Sequence, residues 1–178
     1  MRSTTDTPVL RSRRTLKLLA SSVLFNVSPR MTFNQIRKQV TEHVPFAQLT
    51  GVEIGEVVRG RASARLADRP ELQNHVGSLH AAALYTLGET ASGLAMASTL
   101  APIILGVSPV AAGASIRYLK IARGSIAAAA SYDGDPDALV ESLRLSGRVQ
   151  FELDVEMRDQ AGILVATMTV EWHARLKK

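Results

Sequence analysis

The strongest constraint on the fold comes from residues 77–99, which have a helical composition and apolar side chains on nearly every side. A helix without a polar face does not lie on a protein surface, so other elements must enclose it. The many alanine, glycine and serine residues in this stretch allow neighbouring backbones to come close. We therefore predict a buried central helix around which the rest of the chain is organised.

A single acidic residue, Glu89, interrupts this helix, and no other charged residue occurs between His80 and Arg117. A carboxylate buried there without a partner would cost several kcal/mol. Glu89 therefore faces a polar cleft, has a raised pKa, or is paired with a buried arginine. The first two arrangements are typical of functional carboxylates, so Glu89 is the leading candidate for a catalytic residue.

Residues 90–116 carry no charge and are numerous enough to span a bilayer. However, Pro102, Gly106, Pro109 and Gly113 interrupt the run, and more than half of it is Ala, Gly, Ser or Thr rather than Leu, Ile or Phe. We predict no membrane span. The run is interpreted as the end of the buried helix, a tight loop and a buried strand.

Patterns on either side of the central helix predict one short helix and several strands. Thr32 suits the N-cap of a helix that reaches about His43, and Pro45 ends that helix. Residues 52–66 alternate in the way typical of a strand with a bulge or bend. Further strands are expected at 110–121, 125–132, 147–158 and 163–175, and 139–145 is either a short helix or a strand. The fold class is therefore α+β, with antiparallel strands around one helix.

The composition excludes several kinds of site. The chain has 178 residues, 46 % of them apolar, which suits one domain with a substantial core. Because it has no cysteine, disulfides, thiolate metal sites and a cysteine nucleophile are excluded. His43, His75 and His173 lack the spacing of metal ligands, so we expect no metal and no cofactor. We expect a cytoplasmic protein.

The net charge of +5 is concentrated in the first 30 residues, which hold six basic residues and one acidic residue. The remainder holds fifteen of each, so the basic character describes an N-terminal extension and does not favour nucleic-acid binding. Residues 1–30 are rich in Ser, Thr and Arg, which indicates either a targeting presequence or a disordered or mis-assigned extension. The folded domain is expected at residues 31–178.

A motif precedes and enters the predicted central helix. It is NHVGSLHAAA, from Asn74 to Ala83, and an acidic residue, Glu89, follows nine positions after His80. It resembles the signature of hotdog thioesterases related to phenylacetyl-CoA thioesterase, and residues 117–124 and 159–162 resemble later segments of the same superfamily. The resemblance covers about residues 32–174 and implies the hotdog fold, an antiparallel sheet wrapped around a long central helix. The usual glycine pair after the histidine is replaced here by two alanines, as in uncharacterised, DUF4442-like members.

The resemblance implies hydrolysis of acyl thioesters of coenzyme A or acyl carrier protein. The Ala81 backbone N–H, at a helix N-terminus, would polarise the thioester carbonyl. Asn74 and His80 would orient substrate or water, and Glu89 would act as general base or nucleophile. Residues expected to contact the substrate are Gly77, Ala82, Arg117, Lys120 and Arg123, of which the three basic residues suit the phosphates of coenzyme A or an acidic carrier surface.

Structural roles are the alternatives for several of these residues. His80 could cap the helix or bond a loop carbonyl, and Asn74 could be an ordinary turn residue. The basic residues of 117–123 could simply keep a strand edge soluble.

Spacing adds an expectation about assembly. His80 and Glu89 are nine residues apart, so at about 100° and 1.5 Å per residue they point to opposite sides of the helix, roughly 13 Å apart along its axis. They do not meet at one substrate within one chain, so Glu89 is expected to come from a neighbouring subunit of a homodimer, or of a tetramer. Two other hypotheses stay open, a non-catalytic hotdog module that binds acyl thioesters or has a structural or regulatory role, and a hotdog dehydratase.

Overall fold

The structure is a computed structural model that describes residues 31–178. This part of the chain begins with two short helices. The predicted extension at residues 1–30 lies outside the described residues. α1 (Phe33–His43) starts at Thr32, which forms the expected cap as part of a capping box with Gln35. Pro45 does end α1, but it is also the first residue of a second helix, α2 (Pro45–Thr50), because the fixed φ of proline suits the first helical position.

A hairpin follows where one bent strand was expected. β1 (Glu53–Val58) and β2 (Arg61–Leu66) are paired antiparallel, and β1 carries the predicted irregularity between Ile54 and Val57. The prediction of a single strand over 52–66 was wrong because the chain reverses at Gly60, whose φ of 74° is readily adopted only by glycine.

The remaining elements alternate around one long helix. They are α3 (Ala81–Thr99), β3 (Val107–Tyr118), β4 (Ile126–Ser131), α4 (Pro136–Ser146), β5 (Arg148–Arg158) and β6 (Leu164–Leu176). The segment that was either helix or strand is part of α4. All six strands form one antiparallel sheet in the order β1-β2-β4-β5-β6-β3.

The sheet wraps around α3. Alternate residues of the central strands are buried, for example Leu153, Val155 and Met157 of β5, while their neighbours face outwards. Leu87 and Leu94 of α3 are fully buried against this inner face. The helices α1 and α2 pack on α3 at the side of β1. The predicted α+β architecture, an antiparallel sheet wrapped around a long central helix, is confirmed.

One side of the single chain is more open than predicted. β3 lies at the edge of the sheet, pairs only with β6 among the described residues, and is exposed over most of its length. On α3, residues spaced about one turn apart, Tyr85, Glu89, Gly93 and Ala97, are exposed or half-buried. We call this row the open stripe of α3. The predictions of a buried strand at β3 and of a fully enclosed helix were therefore wrong for one chain.

Among residues 31–178, no helix combines the length and the apolar character needed to cross a bilayer. The uncharged run instead supplies the second half of α3, a short 3-10 turn at Ile104–Gly106 and the edge strand β3. Its small residues fit the close contact of α3 with the sheet.

Candidate active site at the start of the central helix

His80 occupies the N-cap position of α3. Its backbone is extended (φ −64°, ψ 146°), and its Nδ1 accepts a hydrogen bond of 3.0 Å from the Ala82 N–H. Its backbone N–H donates to the Leu72 carbonyl at 2.8 Å, which joins the helix start to the preceding turn. Ala82 therefore has its N–H engaged by the imidazole. The geometry is that of a capping residue, and the expected role of His80 in orienting substrate or water stays a prediction.

Asn74 organises the loop that leads into α3. Its Oδ1 accepts from the N–H groups of Val76 and Ser78 at 3.0 and 3.3 Å, and its Nδ2 donates to the Ser78 hydroxyl at 3.0 Å. The Gly77 N–H donates to the Asn74 carbonyl, and Gly77 has the positive φ (68°) that this tight loop requires. Both side-chain groups of Asn74 are thus engaged within the loop, which gives the residue a structural role beside its predicted one.

The Ala81 N–H is the free donor at the start of α3. Ala83 and Leu84 donate to the His80 carbonyl, and Ala82 donates to the His80 ring. Within residues 31–178 no acceptor lies in hydrogen-bond range of the Ala81 N–H. Ala81 is also exposed. An unpaired N–H at the positive end of a helix is suited to bind a carbonyl oxygen on which negative charge develops.

A groove of about 380 Å³ lies beside this N–H. The Leu79 N–H donates to the Ala122 carbonyl and so joins the loop before α3 to the segment after β3, and these two segments form the groove walls. Val76 and Ile121 contribute exposed apolar surface. We call this depression the α3 groove. It is partly apolar and open to solvent, so a ligand with both apolar and polar groups could bind there.

The basic residues predicted to bind substrate are placed differently from one another. Lys120 lines the α3 groove together with Asn74 and Ala81. Arg117 precedes Tyr118, which lines the groove, so in an extended strand Arg117 points to the opposite face of the sheet. Arg123 is exposed in the segment after β3 and is not part of the groove lining. Only Lys120 is brought to the candidate site within one chain.

Glu89 is half-buried on the open stripe of α3. Burial raises the pKa of its carboxyl group above the ordinary value. None of the ion pairs formed among residues 31–178 includes it, so the buried arginine that sequence reasoning left open is not found in the described part of the chain. A desolvated, unpaired carboxylate of this kind is a stronger proton acceptor than an exposed one.

Glu89 also lines a second depression of about 290 Å³, which we call the Glu89 pocket. Its other walls come from the end of α1, the second half of α3, the turn after α3, Pro109 of β3 and Trp172 of β6. Glu89 and Ala81 are eight residues apart, which corresponds to about 12 Å along the helix axis. One chain therefore holds the donor and the carboxylate at separate places.

Tyr118 is a site residue that sequence reasoning missed. Its hydroxyl donates to the Ala81 carbonyl at 3.1 Å and joins the end of β3 to the first turn of α3. Burial, followed by the proximity of Tyr85, raises the pKa of Tyr118. A strand residue that contacts a helix 37 positions earlier leaves no local pattern in the sequence. Within the described residues no three His, Asp or Glu side chains are grouped to hold a metal ion.

Comparisons with known proteins agree with this fold. The family model of DUF4442, a domain of unknown function, matches residues 33–174. The solved structure of PA5026 from Pseudomonas aeruginosa, a probable thioesterase, gives a TM-score of 0.69 at 21% identity, with 83% of this chain and 98% of that chain covered. The PaaI protein from the phenylacetic acid degradation operon of E. coli gives a TM-score of 0.64 at 21% identity, with 82% and 94% covered.

Thioesterase HI1161 from Haemophilus influenzae gives a TM-score of 0.65 at 15% identity, with 83% of this chain and 93% of that chain covered. No curated protein matches the sequence. At these identities the structural likeness concerns the fold. Because the family match extends over most of the chain, from α1 to the end of the sheet, the protein belongs to the DUF4442 family and has the hotdog fold.

Proposed function

We propose that this protein is a thioester hydrolase that acts on acyl-CoA or acyl-carrier-protein substrates at a site shared by two copies of the chain. The observation that carries the proposal is the pair formed by a free N–H at the start of α3 and a half-buried, unpaired carboxylate on the open stripe of the same helix. Three solved structures with this fold are described as thioesterases or as a protein of the phenylacetic acid degradation operon, which favours the same chemistry.

The homodimer is supported by the unpaired side of the chain. β3 is a twelve-residue edge strand without a charge before Arg117, and long uncharged edge strands normally pair or aggregate. The open stripe of α3 lies next to it and also carries no charge except Glu89. A second copy related by a twofold axis would cover both surfaces with the same two surfaces of its own.

The two chemical groups would then meet across the interface. Within one chain they are about 12 Å apart along α3. In a dimer with antiparallel central helices, Ala81 of one copy lies towards Glu89 of the other copy. The thioester would enter along the α3 groove, where Lys120 is placed to contact a phosphate or an acidic carrier surface.

The proposed reaction is a water attack on the thioester carbonyl. Glu89 takes a proton from the water as its oxygen bonds to the carbonyl carbon, and the Ala81 N–H donates to the oxygen that becomes negative. When the intermediate collapses, the carbon–sulfur bond breaks and Glu89 returns the proton to the thiolate. The raised pKa of Glu89 brings the carboxyl closer to neutral pH, where general bases work best.

Hydrolysis is tested with purified protein and a panel of short, medium, long and aryl acyl-CoAs, by following the release of free thiol. Glu89→Gln is expected to lower kcat by about 10²–10⁴-fold, the usual contribution of a general base. Glu152→Gln is the matched control, because Glu152 is exposed on the outer face of β5. Turnover that survives in Glu89→Gln, or an absence of turnover with every thioester, would contradict the proposal.

Ala81→Pro removes the proposed oxyanion donor while it leaves the helix in place. Ala81 is the first helical residue, where proline is favoured, and His80 has the extended conformation that a residue before proline prefers. We expect Ala81→Pro to lower kcat by about 10²–10³-fold, as for the loss of one oxyanion donor. A stability close to that of the wild type, measured in urea, would show that the helix is intact.

Mixing the two inactive variants tests whether the site is shared. In a heterodimer of Ala81→Pro and Glu89→Gln chains, one of the two sites has both groups intact. After random exchange of subunits, about one quarter of the wild-type activity should return, if the sites are isologous and independent. If donor and carboxylate belonged to the same chain, mixing would restore nothing.

A second candidate function is supported by the positions of His80 and Asn74. Both side chains are engaged in local hydrogen bonds, His80 as a helix cap and Asn74 at the centre of a loop. Fewer polar groups are therefore free to take part in catalysis. A non-catalytic hotdog module would bind the acyl thioester in the α3 groove without cleaving it. It is distinguished from the hydrolase by calorimetric binding of acyl-CoA without release of thiol.

A further inference from the structure

We propose that the Glu89 pocket is the acyl-binding subsite and that it takes an unsubstituted apolar acyl group, either an alkyl chain of medium length or a single aryl ring. The inference rests on the proposed function, since it names the part of the thioester that this pocket would hold. It concerns a different surface from the α3 groove, which lies at the other end of the open stripe.

The pocket has a mostly apolar lining. Its apolar residues are Val40 of α1 and Val44 just after it, Met96 and Ala97 of α3, Ile104, Pro109, and Trp172 of β6. The volume is about 290 Å³. An apolar cavity of about 150 Å³ is known to hold one benzene molecule, so this volume accommodates one aryl ring with its linker or an alkyl chain of similar size.

Glu89 is the one charged residue among the residues that line the pocket, and it lies at the end nearer the start of α3. Thr90 also lines the pocket, but its hydroxyl oxygen is buried. No basic side chain lines the pocket, so a carboxylated acyl group would meet no partner there. A hydroxyl or charge placed deep against Trp172 and Met96 would lose its hydration without compensation. The pocket chemistry therefore selects against substituted acyl groups.

The position of the carboxyl group sets the direction of the ligand. Glu89 lies at one end, and the apolar wall continues along α3 to Met96, seven residues or about 11 Å further. A thioester whose carbonyl carbon lies beside Glu89 would direct its acyl group along this wall. At about 1.3 Å per carbon of an extended chain, that length corresponds to roughly eight carbons.

Gly93 keeps the pocket open. A Cβ at this position would lie 3.6 and 3.7 Å from two ring carbons of Trp172, which is ordinary van der Waals contact. A methyl group therefore fits, whereas a larger side chain at Gly93 must extend into the pocket. Gly93→Leu is expected to fill the subsite without a clash against the backbone.

The test compares hydrolysis of propionyl-CoA and octanoyl-CoA by wild type, Gly93→Ala and Gly93→Leu. Wild type and Gly93→Ala should prefer octanoyl-CoA. Gly93→Leu should lower the octanoyl-to-propionyl ratio of kcat/KM by at least about tenfold, the discrimination of one methylene group in an apolar pocket. Ala129→Leu, which adds the same side chain on the exposed outer face of β4, is the matched control and should keep the wild-type ratio.

Two further measurements distinguish a failure of the proposed function from a failure of the subsite proposal. If wild type cleaves no thioester, the proposed function fails, and the subsite is then tested alone by calorimetric binding of octanamide, an uncharged probe, which Gly93→Leu should abolish. If Gly93→Leu does not fold, Val40→Phe narrows the same pocket from α1 and should give the same change of ratio. The inference is overturned if either variant, folded and in the wild-type oligomeric state, keeps the wild-type chain-length preference or binds octanamide as wild type does.

Discussion

Two glycines of the central helix should respond differently to substitution by alanine. A Cβ at Gly88 would lie 2.4 Å from Cε of Met157 and 2.7 Å from Sδ of Met168, both of which are buried in the core between α3 and the sheet. A Cβ at Gly93 would meet only the ring of Trp172, at 3.6 Å or more. The same substitution therefore adds a methyl group to a filled space at one position and to a space that has room for it at the other.

The magnitude follows from two contributions. In the interior of a helix, alanine is favoured over glycine by about 1 kcal/mol, and this gain is the same at both positions. Forcing a methyl group into a packed core costs about 1–3 kcal/mol, even when methionine side chains can move aside. Gly93→Ala should thus raise the free energy of unfolding by about 1 kcal/mol. The unfolding free energy of Gly88→Ala should be about 1–3 kcal/mol lower than that of Gly93→Ala.

Urea denaturation followed by fluorescence measures this difference. Trp172 is the only tryptophan in the sequence and is 6 % exposed, so unfolding should shift its emission. The difference between the variants corresponds to about 2–12 °C in Tm for a chain of this size. Both must be compared at one protein concentration, because assembly into the proposed dimer would contribute to stability. Equal stability of the two variants would refute the described packing of α3 against the methionines.

Substitutions at four further positions test the polar groups of α3 and its cap. Burial raises the pKa of Glu89, so the stability due to its protonated form is present below its ordinary value of 4.5 and is lost as pH rises through the raised value. Glu89→Gln should therefore be more stable than wild type at pH 7, and urea titrations should show this gain disappearing below about pH 4.5. His80→Ala should lower the unfolding free energy by about 1 kcal/mol through loss of the cap, and His80→Asn should restore it. Thr99→Val should lower the unfolding free energy by about 1 kcal/mol, because the Thr99 hydroxyl donates to a carbonyl. Thr90→Val should be neutral or stabilising, because the buried Thr90 hydroxyl has no partner in residues 31–178. A loss of unfolding free energy in Thr90→Val that exceeds the loss in Thr99→Val would contradict this assignment.

Local patterns predicted the elements well and their boundaries less well. The cap at Thr32 and four of the strands are where periodicity and turn residues indicated. The hairpin at 59–60 was missed because both of its strands continue the same alternation, and only the positive φ of Gly60 separates them. The segment 139–145 stayed ambiguous in the sequence because seven residues are too few to distinguish a period of 3.6 from a period of 2.

Some residues of the candidate site could be predicted from the sequence and others could not. Glu89 could be found from the sequence because a lone charge in a neutral helix has few physical explanations, and the structure places it half-buried and unpaired. The hydrogen bonds of His80 and Asn74 depend on backbone geometry, so the sequence offered their structural and chemical roles as alternatives. Tyr118 and the wall of α1 beside Glu89 are contacts distant in sequence, which no local pattern predicts.

The absence of charge over residues 90–116 has a physical explanation that the single chain does not supply. Burial was predicted from this run, yet β3 and the open stripe of α3 remain accessible in one chain. If these surfaces stayed in water, charged residues would be tolerated there and would protect the edge strand from aggregation. In the proposed dimer the same surfaces become interior, and a charge would be desolvated on both chains at once because the interface is symmetric. Glu89 is then the one charged residue of the open stripe. Its place in an otherwise uncharged interface is explained if the carboxylate activates water for attack on a bound substrate.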